Sequence, residues 1–387
     1  MIPDKSRLDR SWIEPRWAAI SAVVIGIIIW GSLYPFAFYD RGTLAAGLRY
    51  LIMTWRFPSD RGDLISNILL YSPLGFFGAR SLRRLGFPAR VAVVTVFGAT
   101  LSASMEFTQF WDIGRAPSVA DLYSNAIGTL FGALVAGLHP QAWKFPLLGK
   151  MAWRPYALLL VVFWLGNRMF PFIPSLHLHT YAVVWNALPT PAAALDLYRQ
   201  TVDWLAVALL LEALFGIDKS RIAVGLVAAL TIAVRFLTGT AAPVEEFSAM
   251  LAVMLWIGVI SRVRVRAVLV ATLFTASVVL QALEPFQFES QPRRFGWIPF
   301  LGFIDGPREN GVLVFFDKAF TYGALVWLMV RAGFSWTVAS VMCTILVLGL
   351  RMAQIYLPGR TAEITDATML VMLAIIMKLM RDVPERY

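Results

Sequence analysis

Two short strings in this sequence place carboxylates, an arginine and amides at helical spacing. Residues 106–125 read EFTQFWDIGRAPSVADLYSN and residues 351–366 read RMAQIYLPGRTAEITD. Set against each other without gaps, Gln109 falls on Gln354, Gly114 on Gly359, Arg115 on Arg360 and Asp121 on Asp366, while Glu106 falls on Arg351. Glu106 and Gln109 are at i and i+3 and share one helix face. Ser118, Asp121 and Asn125 are at i, i+3 and i+7 and share another. Gly114 and Pro117 mark a turn between two helices. Ser118 is placed to cap the second helix, and Asp121 falls in its first turn, where the helix dipole favours a negative charge. Arg115 then lies within reach of Asp121 or Glu106. Three chemistries follow from the same residues. The charges neutralise one another and clamp a hairpin; or Arg115 reads a phosphate or carboxylate in a polar pocket; or the paired carboxylates do acid–base work. No nucleophile, metal cluster or phosphate loop accompanies them. The exchange of Glu106 for Arg351 further suggests that the two copies pair with each other.

The surrounding chain shows what must position these groups. A thinner middle copy, TGTAAPVEE at 238–246, puts Gly239, Thr240 and Glu246 on the glycine, arginine and acidic positions. Of the 387 residues, 58% are hydrophobic and 15% charged, and the mean hydropathy is +0.67. Soluble domains carry about a quarter charged residues, so this chain belongs in lipid, where a spanning helix takes roughly 20 apolar residues. Apolar runs at 17–38, 63–80, 90–111, 118–138, 155–172, 201–217, 221–238, 244–261, 267–284, 311–331, 334–356 and 362–380 predict about twelve spans. The first is too long for a cleavable signal and is read as retained. The spans fall into three groups of four. Each group opens with a span ending in an aromatic–proline turn, at Tyr34-Pro35-Phe36, Phe170-Pro171-Phe172 and Glu284-Pro285-Phe286. A long loop follows, then a helical pair, the glycine motif and a last span. The expected fold is therefore an all-α, polytopic transmembrane helix bundle of three degenerate four-helix units, at 1–150, 151–266 and 267–387.

The net charge of +10 reflects basic residues flanking spans, the signature of cytoplasmic loops, and no nucleic-acid motif accompanies it. With the N-terminus inside, Arg80, Arg83, Arg84, Arg90, Lys144, Lys150, Lys219, Arg221, Arg262, Arg264, Arg266 and Arg331 all fall on the inner face. Both termini are then cytoplasmic. The three motifs face outward, as do the aromatic-rich loops at 39–62, 173–200 and 285–310, which are expected in the membrane interface. The single cysteine, Cys343, allows no intramolecular disulfide. His139, His177 and His179 lack further ligands for a metal, and neither a metal nor a cofactor is expected. Gly128 and Gly132 form G-x-x-x-G, a signal for close helix contact.

The stretch NILLYSPLGFFG at 67–78 resembles the N-x-L-L-x-x-P-L-G-F signature of the VanZ-like family. E106-x-x-Q109, G114-R115, S118-x-x-D121 and N125-x-x-G128 resemble the rest of it, so the specific match is 63–138. Asp317-Lys318 with Phe320 and Tyr322 resembles the family's D-K-x-x-H-F opening, with Thr321 in place of the histidine. LPGR at 357–360 and Asp366 follow as a partial second copy, while the middle third departs most. The resemblance implies a bacterial inner-membrane, multi-pass protein. The namesake is associated with teicoplanin resistance, and relatives with exopolysaccharide or exosortase systems. It supplies no reaction. The leading expectation is non-enzymatic binding or handling of an envelope lipid or glycolipid at the outer leaflet, with membrane lipids or a lipid-linked glycan as partner. A membrane-embedded enzyme on a lipid-linked substrate and a scaffold are the alternatives. The candidate residues are Asn67, Glu106, Gln109, Arg115, Ser118, Asp121, Asn125, Asp317, Arg351, Gln354, Arg360 and Asp366.

Overall fold

A computed structural model describes residues 12–34, 36–53, 61–82, 84–113, 117–137, 154–169, 191–238, 240, 242–301 and 308–381. Among these the regular structure is helical, with single bridges in place of strands. The helices are α1 (Pro15–Leu33), α2 (Leu44–Met53), α3 (Arg61–Ser81), α4 (Phe87–Gln109), α5 (Val119–Ala136), α6 (Pro155–Met169), α7 (Pro191–Phe215), α8 (Ile217–Thr238), α9 (Pro243–Gly258), α10 (Arg266–Leu283), α11 (Arg308–Arg331), α12 (Trp336–Ala353) and α13 (Thr365–Arg381). Eight are long and apolar enough to cross a membrane: α1, α4, α5, α8, α9 with the turn after it, α10, α11 and α12. The fold is thus all-α and consistent with a polytopic transmembrane bundle. The chain divides into two compact units, Met1–Lys144 with Gly302–Val312, and Phe145–Leu301 with Leu313–Tyr387.

In the first unit α3 lies against α1, α4 and α5, and its contact with α5 is the tightest. Glycines make that approach possible. A methyl group on Gly132 would overlap the Ser72 carbonyl, and one on Gly128 the Ile68 carbonyl. The G-x-x-x-G signal therefore serves contact within the chain. The opposite faces of α4 and α5 expose Val96, Phe97, Phe131 and Leu134, as lipid contact requires.

In the second unit α7 is the central helix, touching α6, α8, α9 and α10. The run Trp204–Leu210 is at most 2% exposed, and the Trp164 and Trp204 rings pack edge-on at 4.4 Å. Both α3 and α7 carry charges and fall short of the apolar standard of a lone span. Their neighbours, rather than lipid, surround them.

Two boundaries differ from the sequence reading. The predicted loop 39–62 contains α2, seated on α4 by Gly47 against Phe107, Phe110 and Trp111. Also, α7 begins at Pro191, ten residues before the predicted span. Pro191 sits at the first helical position, and Ala192–Ala194 with Leu195 are strong helix formers. Hydropathy alone hides this turn because Asp196, Arg199 and Gln200 interrupt it.

Candidate functional site

The first motif forms a polar seam between α3, α4 and α5. Ser118 caps α5, its Oγ accepting from the Ala120 N–H at 3.2 Å, while its own N–H donates to Glu106 Oε2 at 2.8 Å. Asn67 Nδ2 donates to Asp121 Oδ1 at 2.8 Å, and Asn125 Nδ2 to Ser102 Oγ at 2.9 Å. Glu106, Gln109 and Asn125 are buried. Asn67, Glu106, Ser118, Asp121 and Asn125 thus meet in the interhelical seam, while Gln109 turns to α1. Gly114 and Arg115 lie outside the described residues, as do Gly239, His139, His177, His179 and the Phe170-Pro171-Phe172 turn.

The second copy is a charge-balanced cluster of Arg351, Lys318, Glu363 and Asp366. Asp366, fully buried, is ion-paired with Arg351, receives a hydrogen bond from the Tyr322 hydroxyl and lies 2.6 Å from Lys318 Nζ. Arg351 also donates to Gln354 Oε1 at 2.6 Å. Arg351 therefore finds its acid one helix away in its own unit. Asp366 comes within its reach because α12 and α13 are joined by the motif turn itself. Arg360 takes another route. The turn at Gly359, with φ +72°, leads into Arg360, whose Nε donates to the Glu284 carbonyl at 2.8 Å and whose guanidinium meets Glu284 Oε2 at 3.1 Å.

The two motif turns share a backbone frame. Gln109 Nε2 donates to the Ser32 carbonyl at 2.8 Å and Gln354 Nε2 to the Ala282 carbonyl at 2.7 Å. Each acceptor lies four residues before the phenylalanine of an aromatic–proline turn, and Phe36 and Phe286 both take positive φ, 60° and 64°. The Tyr39 N–H donates to the Trp111 carbonyl at 2.9 Å, and the Glu289 N–H to that of Tyr356 at 2.8 Å. Each glutamine thus caps an orphan carbonyl at a helix end, which explains its place in both strings. Beside the first turn an open groove of about 470 Å³ is lined by Phe38, Tyr39, Asp40, Thr108 and Trp111.

Sequence reasoning missed a second polar site. In the second unit a cavity of about 70 Å³ is lined by Asn167 and Arg168 from α6, Arg199, Gln200 and Asp203 from α7, Arg235 from α8, Glu245 from α9 and Asp317 from α11. Glu245 is ion-paired with Arg168 at 2.9 Å and with Arg235. Arg235 Nε lies 3.2 Å from Glu246 Oε1. Asp317 faces this cavity, its Oδ1 accepting from Asn167 Nδ2 at 3.1 Å, whereas the next residue, Lys318, serves Asp366. The usable signal was the presence of Arg168, Asp203 and Arg235 within apolar runs, since ionisable groups in spans mark functional interiors.

No curated protein and no solved structure matches the chain. Residues 14–139 match the VanZ/LLP1 family model; they include α1 to α5, the groove and the first polar motif, so this part of the chain is VanZ-like.

Proposed function

We propose that the protein binds the headgroup of an envelope lipid or glycolipid at the outer leaflet of a bacterial inner membrane, without catalysing a reaction on it. In this reading twelve helices span the membrane as three four-helix repeats, both termini are cytoplasmic, and α2 lies in the outer interface. The groove beside the first motif carries the proposal. Phe38, Tyr39 and Trp111 line it together with Asp40 and Thr108. Flat apolar rings with polar groups at their rim suit a sugar or a headgroup boundary, where one side is wet and the other apolar. Helix α2 supports the depth of the groove. Leu44, Leu48 and Ile52 are all more than half exposed and form an i, i+4, i+8 stripe. Such a stripe buries itself at the boundary between headgroups and acyl chains. Arg115, a candidate from the sequence, carries a guanidinium, a group suited to bidentate phosphate recognition. A change in glycopeptide susceptibility is the cellular effect this reading points to.

The test is retention of a lipid-linked glycan and of phosphatidylglycerol by the full chain in nanodiscs, read by native mass spectrometry. Phe38→Ala and Arg115→Ala each lower retention by about tenfold, equivalent to about 1.4 kcal/mol, with the melting temperature unchanged. Equal retention by folded wild type and variants overturns the proposal.

A further inference from the structure

The charges around the cavity of the second unit do not balance. Arg168, Arg199 and Arg235 bring three positive charges. Asp203, Glu245 and Asp317, with Glu246 held on Arg235, bring four negative ones. The other element packed on α7, α10, has one charged residue, Arg266, which is bound to Glu212 at 2.7 Å. Lys318, beside Asp317, belongs to the cluster of Arg351, Asp366 and Glu363, which balances without Asp317. One negative charge is therefore in excess inside the bundle, where an uncompensated charge is costly. The excess can be located. Glu245 and Glu246 have arginine partners, and Asp317 has Asn167. Among the described residues no hydrogen bond or close ion pair reaches the Asp203 carboxylate, which feels Arg168 and Arg199 only at longer range.

Size and sign limit what fits. About 70 Å³ holds a few waters or a small ion, well below the roughly 300–1,000 Å³ of pockets for organic ligands. An anion would raise the negative excess to two, and Arg168 and Arg235 are already engaged. A single positive charge neutralises the cluster. We propose that this cavity binds one monovalent cation, a proton or an alkali-metal ion, on the carboxylates of Asp203 and Asp317. The site is separate from the groove of the first unit, so either assignment fails without the other.

The full chain in nanodiscs tests it in two arms. In the first, infrared difference spectra between alkaline and acidic buffer detect the C=O stretch of a protonated carboxyl. In the second, melting temperature is measured at fixed pH in choline chloride, sodium chloride and potassium chloride. A carboxyl band that appears on acidification and is missing in Asp203→Asn identifies the proton. A sodium- or potassium-dependent rise in melting temperature that is missing in Asp203→Asn identifies the metal ion. Arg199→Gln keeps both carboxylates and removes an opposing charge one helical turn away. It shifts the proton or ion concentration for half-occupancy down by about tenfold. No band and no ion effect in wild type overturns the proposal, as does either signal persisting unchanged in Asp203→Asn. If Asp203→Asn does not fold, an unshifted Arg199→Gln overturns it.

Discussion

Asp366 shows what a single residue contributes when its charge is enclosed by protein. It sits at zero exposure with Arg351, Lys318 and Tyr322 around it. Removing one member of a buried pair leaves the other unpaired, which costs about 3–5 kcal/mol, whereas replacing both by apolar residues is often neutral. Asp366→Leu is therefore expected to lower the melting temperature sharply in detergent, and Arg351→Leu/Asp366→Leu to recover much of the loss, with Lys318 left to Glu363 at 3.9 Å. A double variant no more stable than Asp366→Leu alone removes the clamp assignment. The cluster was partly legible in the sequence. The spacing of Arg351, Gln354 and Asp366 put them at one turn, but Tyr322 and Lys318 come from α11, and only tertiary packing brings them in. Of the cavity residues only Asp317 was singled out from the sequence. Arg168, Arg199 and Arg235 are spread over three helices, and reading basic residues as topology markers says nothing about arginines inside spans.

At the scale of elements, the contact between α3 and α5 rests on the absence of side chains. Gly75, Gly128 and Gly132 each face a backbone carbonyl of the opposing helix, so the two backbones meet without intervening side chains. Gly132→Leu forces them apart and is expected to cost more than the roughly 1–3 kcal/mol of ordinary overpacking, because backbone cannot rotate away as a side chain can. Gly225→Leu is the control, since nothing lies within 4 Å of a Cβ there. Thermal unfolding of the two variants should separate clearly; similar melting temperatures mean the α3–α5 approach is not what holds the first unit. Sequence periodicity located most long helices well, because apolar runs of membrane length are unambiguous. It failed where a helix does not face lipid on all sides. Helix α2 is apolar but too short for a span, and Asp196, Arg199 and Gln200 interrupt the first turns of α7. Both are set by what packs on them, Trp111 and Phe110 for α2 and the wall of the polar cavity for α7.

At the scale of the whole molecule, the distribution of charge around the helix ends makes a topological prediction. Arg84 and Arg90 flank the α3–α4 turn, Lys219 and Arg221 follow α7, Arg262 and Arg264 precede α10, and Arg331 ends α11. The first motif turn follows the other end of α4, and the Glu284-Pro285-Phe286 turn the other end of α10. Short basic connections tend to stay in the cytoplasm, so the proposed topology puts the two sets of turns on opposite faces. The protein suits a labelling test because its one natural cysteine, Cys343, is 1% exposed and gives no background. Tyr39→Cys and Phe288→Cys, both at exposed positions, should react with a membrane-impermeant maleimide in intact cells. Lys219→Cys and Val265→Cys should react only after the membrane is opened. The pair Tyr39 and Phe288 matters most, because they follow the Phe36 and Phe286 turns closely in two different compact units. If they label from opposite sides, the repeats are inverted relative to each other, and the groove and the second motif cannot both serve the outer leaflet. If they label from the outside together, the shared backbone frame of the two turns is also a shared orientation, and Arg115 and Arg360 face the same aqueous phase.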